Sequence, residues 1–179
     1  MRFDRIVPWI IVLYLAVLIP VSALAEAEYL KITANGVNIR SGPKTSFPIV
    51  AKAWEGDFFE FHGKEGQWYK VRMFSVSWRY IHKSLGQVAP YSVSIPKKLS
   101  TRRKIFRALV EAEDRAETKA DEIYPLENKS GGPIPGNVEK NIDFMWLLSD
   151  RYKLEVAHRY RVQPPIHDAI ISEGIEKGW

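Results

Sequence analysis

Val37-Asn38-Ile39-Arg40-Ser41-Gly42-Pro43 decides the fold class of this chain. Its first four residues alternate apolar and polar, the pattern of a strand with one buried face, and Ser41-Gly42-Pro43 breaks the run. Upstream, Tyr29-Leu30-Lys31-Ile32-Thr33 alternates in the same way and is turned by Asn35-Gly36. Downstream, Ile49 to Trp54 stops at Glu55-Gly56-Asp57. Phe59 and Phe61 then alternate with Glu60 and His62 up to Gly63-Lys64-Glu65-Gly66, and the stretches Trp68 to Met73 and Trp78 to His82 follow. Short strands this closely spaced, each bounded by Gly, Pro or Asn, predict a compact antiparallel barrel over residues 28–87. No gap is long enough for a crossover helix, which excludes a parallel sheet. Alternation assigns Val37, Ile39, Ile49, Ala53, Phe59, Phe61, Trp68, Val71 and Ile81 to the inside.

Four segments, in order, carry a resemblance: Val37 to Pro43, Glu55-Gly56-Asp57, Gly66-x-Trp68-Tyr69-Lys70-Val71, and Tyr80-Ile81-His82-Lys83-Ser84-Leu85. Together they resemble the bacterial SH3-like (SH3b) domain family over residues of about 30–87; residues 88–179 carry no such resemblance. The resemblance implies an SH3-like barrel in an exported protein. Many members attach an envelope protein to peptidoglycan or another wall component, so the implied partner is a cell-wall polymer or an envelope protein. One departure stands out. The family usually has Gly-Trp before the apolar residue of its last strand, where this chain has Arg79-Tyr80. Arg79 closes a position normally open to close backbone approach, so the identity of the ligand does not transfer.

The signature residues have structural readings. Asn38 is expected to bond the backbone of a tight loop, and Arg40 to pair with Asp57 or Glu60. Gly42 and Gly56 are expected to supply turn dihedrals open to glycine, and Trp68 to belong to the core. Trp54, Tyr69, Trp78 and Tyr80 fall on outward or edge positions. If they converge, they make an aromatic surface suited to a peptide or glycan ligand; scattered single aromatics are the plainer alternative.

The N-terminus reads Met1-Arg2-Phe3-Asp4-Arg5, then an apolar run from Ile6 to Val21, then Ala23-x-Ala25. That order predicts a signal peptide over residues 1–25 and a mature start at Glu26. An uncleaved anchor over residues 6–24 is the alternative. Membrane association is then transient or permanent, and residues 26–179 are expected to be periplasmic or extracellular, inner-membrane anchored if the segment is kept. The chain has no cysteine, which excludes disulfides and thiolate chemistry. Its formal charge of +5 is too modest to argue for nucleic acid.

After residues 26–88 and a linker over 89–99, composition turns helical. Ile105, Leu109, Ala112, Ala116, Ala120 and Ile123 mark one stripe of a helix from Ser100, its expected cap, to Tyr124 before Pro125. Val138, Ile142, Met145, Tyr152 and Val156 mark a second helix to about Arg161. The chain is thus α+β: a small antiparallel SH3-like β-barrel, then an α-helical hairpin over 100–179 with a short C-terminal helix. The seam sets small Ala112, Ala116 and Ala120 against large Met145, Tyr152 and Val156. It leaves Phe144, Trp146, Leu147 and Leu148 to pack on the barrel or on a second copy, as a homodimer. Lys97, Lys98, Arg102, Arg103, Lys104 and Arg107 form a basic stretch, read most simply as solvated.

His62, His82, His158 and His167 have no metal-site spacing. There is no nucleophile elbow and no glycine-rich phosphate loop. The expectation is therefore no enzyme, with no catalytic residue, no metal and no cofactor. The leading reading is a non-catalytic envelope binding protein. The rival is an assembly protein that binds a protein partner through its helices.

Overall fold

The computed structural model of the chain describes residues 28–74, 77–91 and 94–179. Seven strands form one antiparallel sheet: β1 (Tyr29–Ile32), β2 (Val37–Arg40), β3 (Ile49–Ala53), β4 (Phe58–Glu65), β5 (Trp68–Arg72), β6 (Trp78–His82) and β7 (Gly86–Ala89). Their order is β3-β2-β6-β5-β4-β1-β7. The two end strands, β3 and β7, do not pair with each other, so the sheet is open and the expected barrel closure is corrected. The physical reason lies in the core. Leu30, Ile39, Val50, Phe59, Val71 and Ile81 of the sheet share one continuous apolar cluster with helical residues that include Ile105, Leu109, Leu154 and Ile170. The helices supply the burial that closure would otherwise provide.

Local irregularities explain which side chains face in. Val37, Ile39, Phe59, Val71 and Ile81 are buried, but Ile49 is 43% exposed and Val50 takes its place. The register of β2 on β3 shifts between Ile39 and Arg40, a bulge that rotates β3 by one residue. Gly56, with φ of 91°, makes the turn before β4 in the left-handed region.

The C-terminal part consists of α1 (Leu99–Ile123), α2 (Asn137–Tyr160) and α3 (His167–Glu176). The helix α1 buries Ile105, Ala108, Leu109, Ala112, Ala116 and Ala120, and it stops just before Pro125. Lys98 occupies the N-cap, so Ser100 lies inside the helix. The helix α2 runs antiparallel to it. Asn141 Nδ2 donates to Asp121 Oδ1 (2.7 Å) near one end, and Lys153 Nζ donates to Glu113 Oε1 (2.7 Å) further along. A simple hairpin would end there, but α3 returns to the start of α1. Arg102 donates from Nε and Nη2 to the two carboxylate oxygens of Glu173 (2.7 and 3.0 Å). The expected hairpin is therefore corrected to three packed helices. Arg102 also donates to the carbonyls of Pro96 and Lys97, so part of the basic stretch is structural. Gly174 sits so close to Phe106 that a Cβ there would lie 2.1 Å from its ring.

Three of the four apolar residues of α2 left over by the seam, Phe144, Leu147 and Leu148, are accommodated within the chain. Leu148 is buried, Phe144 packs edge-on against Tyr124 at 5.6 Å, and Leu147 lies against the shared core. A second copy is not needed to cover these three. The membrane expectation is also corrected. Among the described residues no helix is long and apolar enough to cross a membrane, and the segment 6–24 proposed as anchor lies outside the described residues. Inner-membrane anchoring is not carried further.

At the start of α3 the His167 ring is 2% exposed and stacks on Phe74 at 4.4 Å. Neither ring nitrogen has a hydrogen-bond partner among the described residues. Burial, assisted by the nearby Lys153 charge, pushes its pKa down to about 3. The unfolded chain binds this proton near pH 6.5 and the folded chain does not. The stabilisation from a neutral His167 is thus complete above pH 6.5 and is lost as pH falls toward 3. Between pH 7 and pH 5 the loss should be about 2 kcal/mol, and His167→Leu should abolish it. Denaturant titrations at the two pH values check this; an unchanged slope in the variant would mean that other groups carry the acid sensitivity.

Candidate functional site

The registers of β5 and β6 sort their side chains onto two faces. Trp68 lies opposite His82, Lys70 opposite Tyr80, and Arg72 opposite Trp78, so these six share the outer face. Tyr69, Val71, Arg79 and Ile81 point the other way. Arg40 of β2 pairs with Tyr80 and extends the outer face sideways.

A groove of about 250 Å³ opens on this side, lined by Asn35, Asn38, Arg40, Thr45, Trp68 and His82 among others. Its parts are held from behind. Arg40 Nη1 donates to the Phe47 carbonyl (2.7 Å), which ties down the loop that carries Thr45. Asp57 and Glu60, the partners expected for Arg40, are engaged elsewhere. Gly42 is needed for close approach: a Cβ would lie 2.5 Å from the Phe47 ring, and its φ is not in the left-handed region. The Trp68 ring stands edge-on against His82 at 5.3 Å, half-buried and facing the groove. The groove thus offers an indole, an imidazole, an amide and a guanidinium along one short cleft. That set can stack a sugar or peptide plane and hydrogen-bond its polar rim.

The four aromatic candidates do not converge. Tyr80 is 8% exposed, and its hydroxyl donates to Glu65 Oε1 (3.1 Å); burial and then the Glu65 carboxylate raise its pKa. Trp78 is exposed on the same face, with Lys70 Nζ 4.4 Å from its ring centroid and His62 at 4.8 Å. Tyr69 points inward and meets Phe61 edge-on at 5.6 Å. Trp54 stands at the junction with α2, where it packs on His158 at 4.6 Å. Sequence reasoning missed His82 as a groove residue. The directly opposed placement of Trp68 and His82, readable from a correct β5–β6 register, was the signal for it.

Arg79, the departure from the family pattern, also finds its reason here. It points inward, is 5% exposed, and pairs through Nη2 with Asp150 Oδ2 of α2 at 2.5 Å. Asp150 is fully buried and also accepts from the Phe74 N–H (3.2 Å). The junction continues through Arg151 Nε, which donates to the Val50 carbonyl (2.9 Å), and through His158 and Asp57, whose side chains meet at 2.9 Å. The Phe58 N–H donates to Gln163 Oε1 (3.2 Å). Arg79 thus joins this sheet to these helices through a buried ion pair.

The groove's lining, from Asn35 to Leu85, falls within the span of one comparison. Residues 35–87 match the Bacterial SH3 domain family. No curated protein matches the chain. SH3-like domains are non-catalytic binding modules, associated in general with peptidoglycan and the cell wall. Among the described residues no group of His, Asp or Glu side chains could hold a metal ion.

Proposed function

We propose that the outer-face groove of the SH3-like sheet binds a peptidoglycan component, and that the helices brace the sheet without contacting the ligand. The observation that carries this reading is the convergence of the family's own signature residues, Asn38, Arg40 and Trp68, with His82 on one open groove. Trp78 and Lys70 lie on the same face and extend the surface available to a long polymer. Residues 1–25 act in this reading as a signal peptide, so that the protein isolated from its host should begin at Glu26; an intact Met1 by mass spectrometry would contradict that.

The assembly reading required a continuous exposed apolar face along Ile142 to Val156. Val138 and Ile142 are exposed near the helix start, but Leu148, Leu154 and Val156 are buried. The face is interrupted, and the wall-binding reading is preferred.

Co-sedimentation of the full chain with purified peptidoglycan tests the proposal. The wild type should pellet saturably, and Trp68→Ala or His82→Ala should weaken binding by roughly tenfold, the loss of about 1–2 kcal/mol of stacking. The His82 variant separates binding from folding, since that side chain is half-buried at the strand end. Wild-type protein that stays in the supernatant, or a His82→Ala protein that pellets equally well, would overturn the groove as the site.

A further inference from the structure

A second cavity, of about 600 Å³, lies where the β3–β4 turn meets the end of α2. Its lining includes Trp54, Ala157, His158, Arg159, Arg161 and Val162. It is separate from the groove, whose lining comes from the sheet and its loops alone. The charges around it are unevenly satisfied. The acids at its edge are engaged: Asp57 meets His158 at 2.9 Å, and Glu155 pairs with Arg115 at 3.1 Å. Arg159 and Arg161 are exposed, and neither has an ion-pair partner among the described residues. Trp54 is 45% exposed beside them. The cavity therefore presents free guanidinium groups next to an indole face and an aliphatic floor.

The backbone adds an independent observation. Arg161, with φ of 54°, is the only non-glycine residue at positive φ among those described. It occupies the position after α2 where glycine is usual, and the Val162 N–H closes the helix end by donating to the Ala157 carbonyl (3.0 Å). A side chain at such a position costs backbone strain that glycine would avoid. A cation thus stands at the mouth of the cavity at a position that glycine would occupy without strain.

We infer that this junction cavity is a binding site for the free carboxylate end of a short peptide. The carboxylate sits against Arg159 and Arg161, and small apolar side chains lie on Trp54 and Val162. Planar guanidinium groups grip a carboxylate with paired, charge-assisted hydrogen bonds, which makes recognition depend on the charged end. The inference does not depend on wall binding through the outer groove.

The test uses the full chain and two probes, acetyl-Ala-Ala-Ala with a free carboxylate and the same peptide as its C-terminal amide, in calorimetric titrations at low and moderate salt. Inorganic phosphate is the third probe. The free acid should bind saturably, with the amide and phosphate weaker by roughly tenfold or more. Arg161→Gly removes the cation but suits the left-handed backbone, so it should fold with an unchanged or higher Tm and lose at least about tenfold in affinity. Trp54→Ala should weaken the acid and leave the phosphate titration unaltered. Equal binding of acid and amide, phosphate binding as tightly as the peptide, absence of peptide binding, or an unaffected Arg161→Gly protein would each overturn the inference.

Discussion

Asp150→Ala should destabilise the protein by roughly 3–5 kcal/mol, because it strands a buried guanidinium. Arg79 is 5% exposed and Asp150 is fully buried, so water cannot replace the lost carboxylate without opening the junction. The same carboxylate accepts the Phe74 N–H, and that donor is orphaned too. Chemical unfolding followed by far-UV circular dichroism and by near-UV circular dichroism should show coincident transitions in the wild type. In the variant they should separate, with the helices and the sheet losing their common cooperativity. The double replacement Arg79→Met with Asp150→Val should recover part of the loss, since it leaves no buried charge unpaired while the Phe74 N–H still lacks its acceptor. A loss below about 1 kcal/mol in the single variant would show that the pair does not bear on the junction.

Phe59→Ala should cost a similar amount, roughly 3–5 kcal/mol, for a different reason. The ring is fully buried on β4 and belongs to the core cluster that sheet and helices share. Its removal forfeits transfer energy and leaves a cavity that strands on both sides cannot collapse to fill, because β4 is paired to β1 and β5. Equilibrium denaturation measures the loss. A value below about 1 kcal/mol would mean that the strand alternation around Phe59 is misplaced.

Alternation and turns made the sheet readable because each strand reports its own buried face. Val37, Ile39, Phe59, Val71 and Ile81 are inside for that reason. Ile49 was misplaced because a single bulge between Ile39 and Arg40 moves β3 by one residue, and a bulge leaves little trace in composition. The strand β7 (Gly86–Ala89) was missed because it is four residues long and opens with glycine. Periodicity located α1, whose stripe is apolar throughout, better than the buried face of α2, which includes Asn141, Asp150 and Lys153. Buried polar residues are invisible to a hydrophobic pattern. They reveal themselves only through partners, and those lie far away in the chain: Asp150 meets Arg79, and His158 meets Asp57. The open sheet follows from the same long-range contacts, since local signals cannot say whether a core is closed by strands or covered by helices. The candidate groove was half legible. Its Asn38, Arg40 and Trp68 were singled out as signature residues, but for structural roles, while the aromatic positions chosen for binding are dispersed by the registers.

The central claim is that the outer-face groove receives the wall ligand, and nuclear magnetic resonance of the full chain titrated with soluble muropeptides tests it most directly. Saturable shifts should appear at the Trp68 indole N–H, the His82 ring and the Asn38 amide, with the amides of α1 and α3 unmoved. Shifts confined to the helices, or none at the groove under conditions in which the chain binds intact peptidoglycan, would contradict the account.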